Sequence, residues 1–92
     1  MNDLQDGTYL KSADGKLVRV EVANGYWVAT HSTTLANTRQ GDLVGVWLDK
    51  ATGAVWVDAV RLVLDATQAR VLGKKHNQIA IWDNTNACEV RL

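Results

Sequence analysis

The 92-residue sequence contains no proline and no phenylalanine, and its aromatic residues are four tryptophans and two tyrosines. A domain of this length buries only about 60–65% of the surface that its unfolded chain exposes, so its core is thin. Because aromatic side chains bury large apolar areas, the tryptophans must supply much of that burial together with Tyr9 and Tyr26. The length predicts a single domain over residues 1–92, and a hydrophobic content of 47% argues against disorder.

The sequence also lacks net charge, a second cysteine and long apolar runs. Ten acidic residues balance ten basic ones, which disfavours a strongly basic nucleic-acid-binding protein and an acidic DNA mimic. Cys88 cannot form an internal disulfide, which favours a reducing compartment. No apolar run approaches the roughly 18 residues that a membrane helix needs, and the polar residues 1–6 do not resemble a signal peptide. We expect a cytoplasmic protein, and the zero net charge gives little repulsion against self-association.

Patterns for catalysis and metal binding are lacking as well. His31 and His76 are the only histidines and are widely separated in the sequence, so no zinc-ligand spacing is present. No nucleophile elbow, phosphate loop or paired-carboxylate pattern occurs. Cys88 shares a predicted strand face with the core residues Val90 and Leu92, which favours a buried thiol over a nucleophile. The sequence therefore predicts a protein that is not an enzyme and has no catalytic residue, metal site or cofactor.

What the sequence does contain is a β-hairpin with a tryptophan on each arm, in residues 45–58. Counting outward from the turn at residues 50–53 places Trp47 opposite Trp56 and the neighbouring apolar residues opposite each other. Both faces of this hairpin are apolar, so each needs a cover from this chain or from another. The second arm continues through residues 59–64, which is long enough to leave one pairing partner and join another.

Two turn dipeptides predict a three-strand meander at the N-terminal end. Asp14-Gly15 and Asn24-Gly25 are typical of two-residue hairpin turns, and residues 16–23 between them alternate valines with charged side chains, as in a half-buried strand. Two-residue turns place Tyr9 opposite Val20. One face of the meander then collects the first half of the core, namely Tyr9, Val18, Val20, Val22, Trp27 and Ala29.

One short helix is predicted at about residues 66–76. Asp65 with Gln68 three residues later fits a capping box, and Asn77 suits the left-handed position that ends a helix. The residues predicted to face inward are Ala69, Leu72 and Gly73. Glycine costs a helix about 1 kcal/mol relative to alanine, and a close approach to the sheet is its expected reason.

The remaining segments are a long loop and a C-terminal hairpin. Residues 30–42 are polar and rich in hydroxyl groups, which predicts a connecting loop with or without a short helical turn. The last residues predict a hairpin with Ile81 opposite Val90, and with Trp82 beside Glu89 on the other face. The fold class is therefore α+β, a mostly antiparallel sheet with one helix on one face.

Three classes of binding remain open. Trp47, Trp56 and Trp82 are either all core or partly an interface, since tryptophan is enriched at binding hot spots; the loop 30–42 would then lie at the rim. A second alternative is a small-ligand or nucleotide binder that uses His31, Arg39 and that loop. A lesser alternative is weak binding of nucleic acid, for which the helix offers a modest basic patch: Arg70, Lys74 and Lys75.

A resemblance to known proteins covers residues 43–92. It rests on the predicted helix and on four segments: 45–49, 52–53, 56–58 and 77–83. This part of the chain resembles small, uncharacterised proteins of bacteriophages and actinobacterial mobile elements. The resemblance implies a cytoplasmic accessory protein of mobile DNA and implies no catalytic residue. The leading hypothesis is accordingly a small, self-associating accessory protein that contacts a protein partner through an aromatic sheet face.

Overall fold

A computed structural model describes residues 5–92, which fold into seven strands, one short 3₁₀ helix and one α-helix. The strand pairs are antiparallel, and the fold class is α+β as predicted. In chain order, the elements are β1 (Gly7–Lys11), β2 (Leu17–Arg19), β3 (Tyr26–Thr33), the 3₁₀ helix (Leu35–Asn37), β4 (Leu43–Leu48), β5 (Val55–Val63), α1 (Ala66–Lys75), β6 (Ala80–Asp83) and β7 (Cys88–Arg91). Within the described range, no helix is both long and apolar enough to cross a membrane.

The chain divides into two compact units, and each has its own apolar core. The first unit combines the residues up to Val20 with Ser32–Ala59, and the second combines Glu21–His31 with Val60–Leu92. Strand order is β2-β1-β4-β5 in the first unit and β5-β3-β6-β7 in the second. The long second arm of the tryptophan hairpin, β5, thus has two neighbours, β4 and β3, and its residues Val55–Ala59 pair with β4.

The first unit is built on the tryptophan hairpin, and the predicted register is confirmed. Trp47 pairs with Trp56 and Val46 pairs with Val57. On the other side of β4, Val44 pairs with Tyr9 of β1. The first core consists of these inward-facing side chains with two partly buried neighbours: Tyr9, Val44, Val46 and Val57, packed against Leu17 and Leu35.

The predicted register of β2 is wrong by one residue. The backbone N–H of Ser12 donates to the Lys16 carbonyl at 2.8 Å, so the hairpin loop has three residues rather than two. Gly15 takes the left-handed position with φ 84°, which is typical of a three-residue hairpin loop. A one-residue slip turns every side chain to the opposite face of the sheet. Tyr9 therefore pairs with Arg19 rather than Val20, and Val18 is 52% exposed instead of buried.

The predicted meander is also wrong, because β3 pairs with β6 rather than with β2. Trp27 lies opposite Trp82 and belongs to the second unit. Tyr9 belongs to the core of the first unit, so the two side chains do not share one core. Gly25 has φ 81° but does not form a hairpin turn. Instead, the backbone N–H of Asn84 donates to the Gly25 carbonyl at 2.9 Å. The left-handed glycine thus holds the start of β3 against the C-terminal hairpin.

The helix closes the second core and ends one residue earlier than predicted. The Asp65 carboxylate accepts from the Gln68 backbone N–H at 2.8 Å, which confirms the predicted cap. At the other end, Asn77 has φ 59° and the Gln78 N–H donates to the Gly73 carbonyl at 2.9 Å, as in a Schellman motif. The second core groups side chains of the helix and the sheet: Val28, Ala69 and Ile81, packed against Tyr26, Val63, Leu72, Val90 and Leu92.

Gly73 has the packing role that the sequence predicts. It is buried on the inward side of α1 together with Ala69. A Cβ atom at Gly73 would lie 2.6 Å from Leu92 Cδ1 and 3.1 Å from Ile81 Cγ2. The helix therefore approaches the sheet more closely than any larger residue allows at this position.

The C-terminal hairpin has the predicted register, with Ile81 opposite Val90 and Trp82 opposite Glu89. Its turn is capped by Asp83, whose carboxylate accepts from the Thr85 N–H at 2.9 Å and from the Asn86 side-chain amide at 2.8 Å. Cys88 is exposed, contrary to the prediction, because it begins the outer strand β7 directly after the turn.

The Asp83 cap makes stability depend on pH in the acid range. The hydrogen bond from the Asn86 side chain outweighs partial desolvation and lowers the pKa of Asp83 below its ordinary value of about 3.9. A carboxyl whose pKa is lower in the folded state contributes stability that is fully present above its unfolded pKa and is lost as the pH falls through the folded value. We expect Asp83→Asn to flatten the acid limb of a urea-denaturation profile below about pH 4.

Asn86→Ala is the companion variant, because it removes the largest contribution to the lowered pKa while leaving the carboxyl in place. It should also flatten the acid limb. Acid limbs that run parallel in wild type and Asp83→Asn would show that this carboxyl does not couple folding to pH.

Candidate binding surface

Among residues 5–92, the sheet of the first unit has a covered face and an open face. Side chains alternate between the two faces along each strand, so the residues next to the first core point the other way. The open face carries Leu10, Val18, Leu43, Trp47 and Trp56, which we call the tryptophan face. Trp47 is 55% exposed and Trp56 is 51% exposed. Neither tryptophan is a core residue within the described chain.

The strand registers arrange the tryptophan face in two apolar rows. Leu10 pairs with Val18 on one side and with Leu43 on the other, so the first row crosses β2, β1 and β4. The second row is the Trp47–Trp56 pair on β4 and β5. Between the rows lies a third one made of small or polar residues: Thr8, Gly45 and Asp58. Thr8 is buried in this middle row, and Gly45 and Asp58 are partly buried.

The opposite face is covered by the segment that follows β3. Leu35 packs against the first core, and the Lys11 ammonium donates to the Leu35 carbonyl and to Thr38 Oγ1, both at 3.2 Å. The Thr38 hydroxyl in turn donates to the Leu35 carbonyl at 2.7 Å. These contacts hold the 3₁₀ helix on the inner side of the sheet, whereas the sequence predicts this segment at the rim of the tryptophans.

The predicted loop at residues 30–42 is shorter than expected, since β3 continues to Thr33. The short helical turn that the sequence allowed is present as the 3₁₀ helix, and the Thr34 side chain caps it by accepting from the Asn37 N–H. Arg39 follows this helix and is exposed; its backbone N–H donates to the Asp42 carboxylate at 2.8 Å.

The other predicted site residues belong to the second unit. His31 lies near the end of β3 and is exposed, with its Nδ1 atom 3.2 Å from Thr30 Oγ1. Trp82 pairs with Trp27 and is 44% exposed. The structure thus joins Trp47 and Trp56 in one cross-strand pair and places His31 and Trp82 on separate strands of the other unit. The predicted basic patch on α1 is exposed: Arg70, Lys74 and Lys75.

The sequence does not predict the apolar neighbours of the tryptophans. It gives no surface signal at Leu10 or Leu43, and a two-residue turn places Val18 in the core. The signal lay in residues 12–16, because a glycine at the third position of a loop also fits a three-residue hairpin. That loop length turns Val18 toward the tryptophan face.

The tryptophan face is mainly apolar and aromatic. Across residues 5–92, no group of three or more histidine, cysteine, aspartate or glutamate side chains could hold a metal ion. Broad aromatic rings beside aliphatic side chains offer apolar area, and the indole N–H groups offer hydrogen-bond donors. Such a face suits a partner that is itself largely apolar.

Comparisons with known proteins identify no relative. A scan of protein-family models finds no match, and searches of curated proteins and of solved structures find none. Evidence on function therefore comes from the geometry of the described residues.

Proposed function

We propose that this chain is a non-enzymatic binding protein that contacts a protein partner through the tryptophan face. The observation that carries the proposal is the Trp47–Trp56 pair, two adjacent indole rings that are each about half exposed on an open sheet face. Monomeric proteins rarely leave large contiguous apolar patches in water, and such patches commonly mark interaction sites. Tryptophan is also among the residues that contribute most to binding at interfaces.

The charge distribution favours a protein partner over nucleic acid. Asp58 is the charged member of the rows that cross this face, and it lies on β5 two residues from Trp56. Nucleic-acid binding depends strongly on lysine and arginine contacts to phosphates. An apolar partner surface with a hydrogen-bond donor or a cation near Asp58 matches these side chains better.

The resemblance of residues 43–92 supports a biological setting for this contact. A cytoplasmic accessory protein of a phage or mobile element would act by binding a protein of the host or of the element itself. The tryptophan face lies partly within that stretch, since Leu43, Trp47 and Trp56 all belong to it.

The double substitution Trp47→Thr with Trp56→Thr tests the proposal. Threonine keeps a high β-propensity, so the hairpin should fold while its aromatic surface is lost. In a capture experiment with lysate of the cells that carry the gene, we expect a protein that wild type retains and the double variant does not. Affinity for that purified protein should fall about 100-fold or more, because one hot-spot truncation costs roughly 2 kcal/mol or more, about 30-fold, and two neighbouring truncations add only in part.

Val71→Ser is the matched control, because Val71 is an exposed apolar residue on the helix. Trp82→Thr measures separately whether the third predicted tryptophan contributes. Circular dichroism should show that all variants are folded. If the double variant retains every protein that wild type and Val71→Ser retain, the tryptophan face is not the binding surface.

A further inference from the structure

The second unit ends in an outer strand that is chemically complementary to itself. Among residues 5–92, β7 lies at one end of the strand order and has β6 as its neighbour. We propose that two copies of the chain pair through β7, antiparallel, so that their sheets join across a two-fold axis at Val90. This inference is independent of the tryptophan face, which lies in the first unit.

The hydrogen-bond pattern decides which backbone groups are available at this edge. Leu92 N–H donates to the Ile79 carbonyl at 3.0 Å, which makes these two residues a hydrogen-bonded pair. Hydrogen-bonded pairs recur at every second residue of an antiparallel ladder, so Val90 and Cys88 also direct their backbone groups toward β6. The N–H and C=O groups of Glu89 and Arg91 therefore point away from the sheet, where a further strand could pair with them.

The two outward-facing residues carry opposite charges. Glu89 and Arg91 form an ion pair along the strand, with Arg91 Nε 3.3 Å from Glu89 Oε1, and both side chains are well exposed. Antiparallel pairing about Val90 places Glu89 of each copy opposite Arg91 of the other. Each such pair would exchange two backbone hydrogen bonds, and the four side chains would alternate in sign across the joined edge.

Other registers of the β7–β7 pair are less favourable, either because like charges meet or because backbone hydrogen bonds are lost. Centring the two-fold axis on Glu89 brings two carboxylates face to face, and centring it on Arg91 brings two guanidinium groups together. Like charges directly opposite each other destabilise a cross-strand pair. A shift by one residue opposes outward-facing backbone groups to inward-facing ones, so the ladder bonds are lost. Charge and hydrogen bonding thus select the same register.

This edge favours a second copy over an unrelated peptide. Natural sheets protect exposed edges with charges that repel another strand, but charges of alternating sign on β7 attract a reversed copy of the same strand. The zero net charge of the chain adds no long-range repulsion between copies. Because the contact involves one short strand from each copy, the dimer should be weak, in the range of small transient interfaces.

Reversing the charge of Glu89 or of Arg91 tests the proposal. Sedimentation velocity on the full chain, from about 10 μM to about 1 mM, should show wild type shifting from monomer to dimer. Glu89→Arg and Arg91→Glu should each raise the dissociation constant about tenfold or more, because each places like charges opposite each other twice per dimer. An equimolar mixture of the two variants should recover dimerisation, since the mixed pair restores opposite charges at both positions.

Lys74→Glu is the control, because it changes the net charge as Arg91→Glu does but lies on the exposed side of the helix. It should dimerise like wild type. In a parallel measurement by nuclear magnetic resonance, the amides of Glu89 and Arg91 should become protected from hydrogen exchange as wild-type concentration rises.

Three results would overturn the proposal: a wild type that stays monomeric at about 1 mM, a dimer insensitive to Glu89→Arg, or a mixture that fails to recover. A dimer lost in the double tryptophan variant but kept in Glu89→Arg would place self-association on the tryptophan face. The outcome at β7 does not alter the capture experiment, so the two proposals can fail separately.

Discussion

Replacing Gly25 with alanine is expected to destabilise the protein by about 2–4 kcal/mol. Gly25 has φ 81°, a left-handed conformation that a side chain disfavours. An added Cβ would also lie 2.9 Å from Leu64 Cδ2, 3.1 Å from Leu62 Cδ1 and 3.2 Å from the Val63 carbonyl oxygen. The carbonyl oxygen belongs to the backbone where β5 ends, so it cannot move aside as freely as a side-chain tip. Urea denaturation followed by tryptophan fluorescence measures the loss.

Gly53→Ala separates conformational strain from crowding. Gly53 has φ 76°, close to that of Gly25, but nothing lies within 4 Å of a Cβ placed there. This variant should lose only the conformational part, about 1–2 kcal/mol. Equal losses at the two glycines would mean that the space around Gly25 is not closed by Leu62 and Leu64.

The elements that the sequence predicted well are those whose signals are local. The tryptophan hairpin takes its register from a turn only a few residues away, so Trp47 and Trp56 could be paired from the sequence. The helix has an Asp65 cap at one end and Asn77 at the other, and its bounds differ from the prediction by one residue. In both cases the determining hydrogen bonds join residues that are close together in the chain.

The errors arise where two structures fit the same local signal. Asp14-Gly15 suits a two-residue turn and a three-residue loop alike, and the difference moves Val18 from the core to the tryptophan face. Asn24-Gly25 suits a hairpin turn, but the left-handed Gly25 instead lies against two leucine side chains. Leu62 belongs to β5, and Leu64 follows the end of that strand. Pairing of β3 with β6 joins segments more than fifty residues apart, and no short-range pattern reports that choice.

The candidate surface could be predicted only in part, because its tryptophans are a local signal and their exposure is not. The hairpin pattern alone identifies the tryptophans, whereas their exposure depends on which strands flank the hairpin and on what covers each face of the sheet. Among residues 5–92, the 3₁₀ helix covers the inner face through Leu35, and Trp47 and Trp56 on the other face are about half exposed. The Trp47–Trp56 pair, for which the sequence predicts either a core or an interface position, therefore lies at the surface.

Ile81→Ala is expected to cost about 3–4 kcal/mol of unfolding free energy. Ile81 is 4% exposed and belongs to the second core with Val28 and Ala69. Its Cγ2 atom would lie only 3.1 Å from a Cβ at Gly73, so the side chain occupies the narrow space between helix and sheet. Truncation leaves a cavity that the close-packed helix cannot fill without giving up its own contacts, and the cost increases with the volume left empty.

Ile79→Ala is the matched control, because Ile79 precedes the same strand by one residue and is 73% exposed. It deletes the same atoms from a side chain that lies largely in water, so its effect should stay within about 0.5 kcal/mol. Urea denaturation at neutral pH measures both variants. Losses of similar size would contradict the placement of Ile81 beneath the helix, and with it the packing reason assigned to Gly73. A large difference would instead establish that this one side chain joins α1 to β6, because the two variants differ only in which isoleucine is truncated.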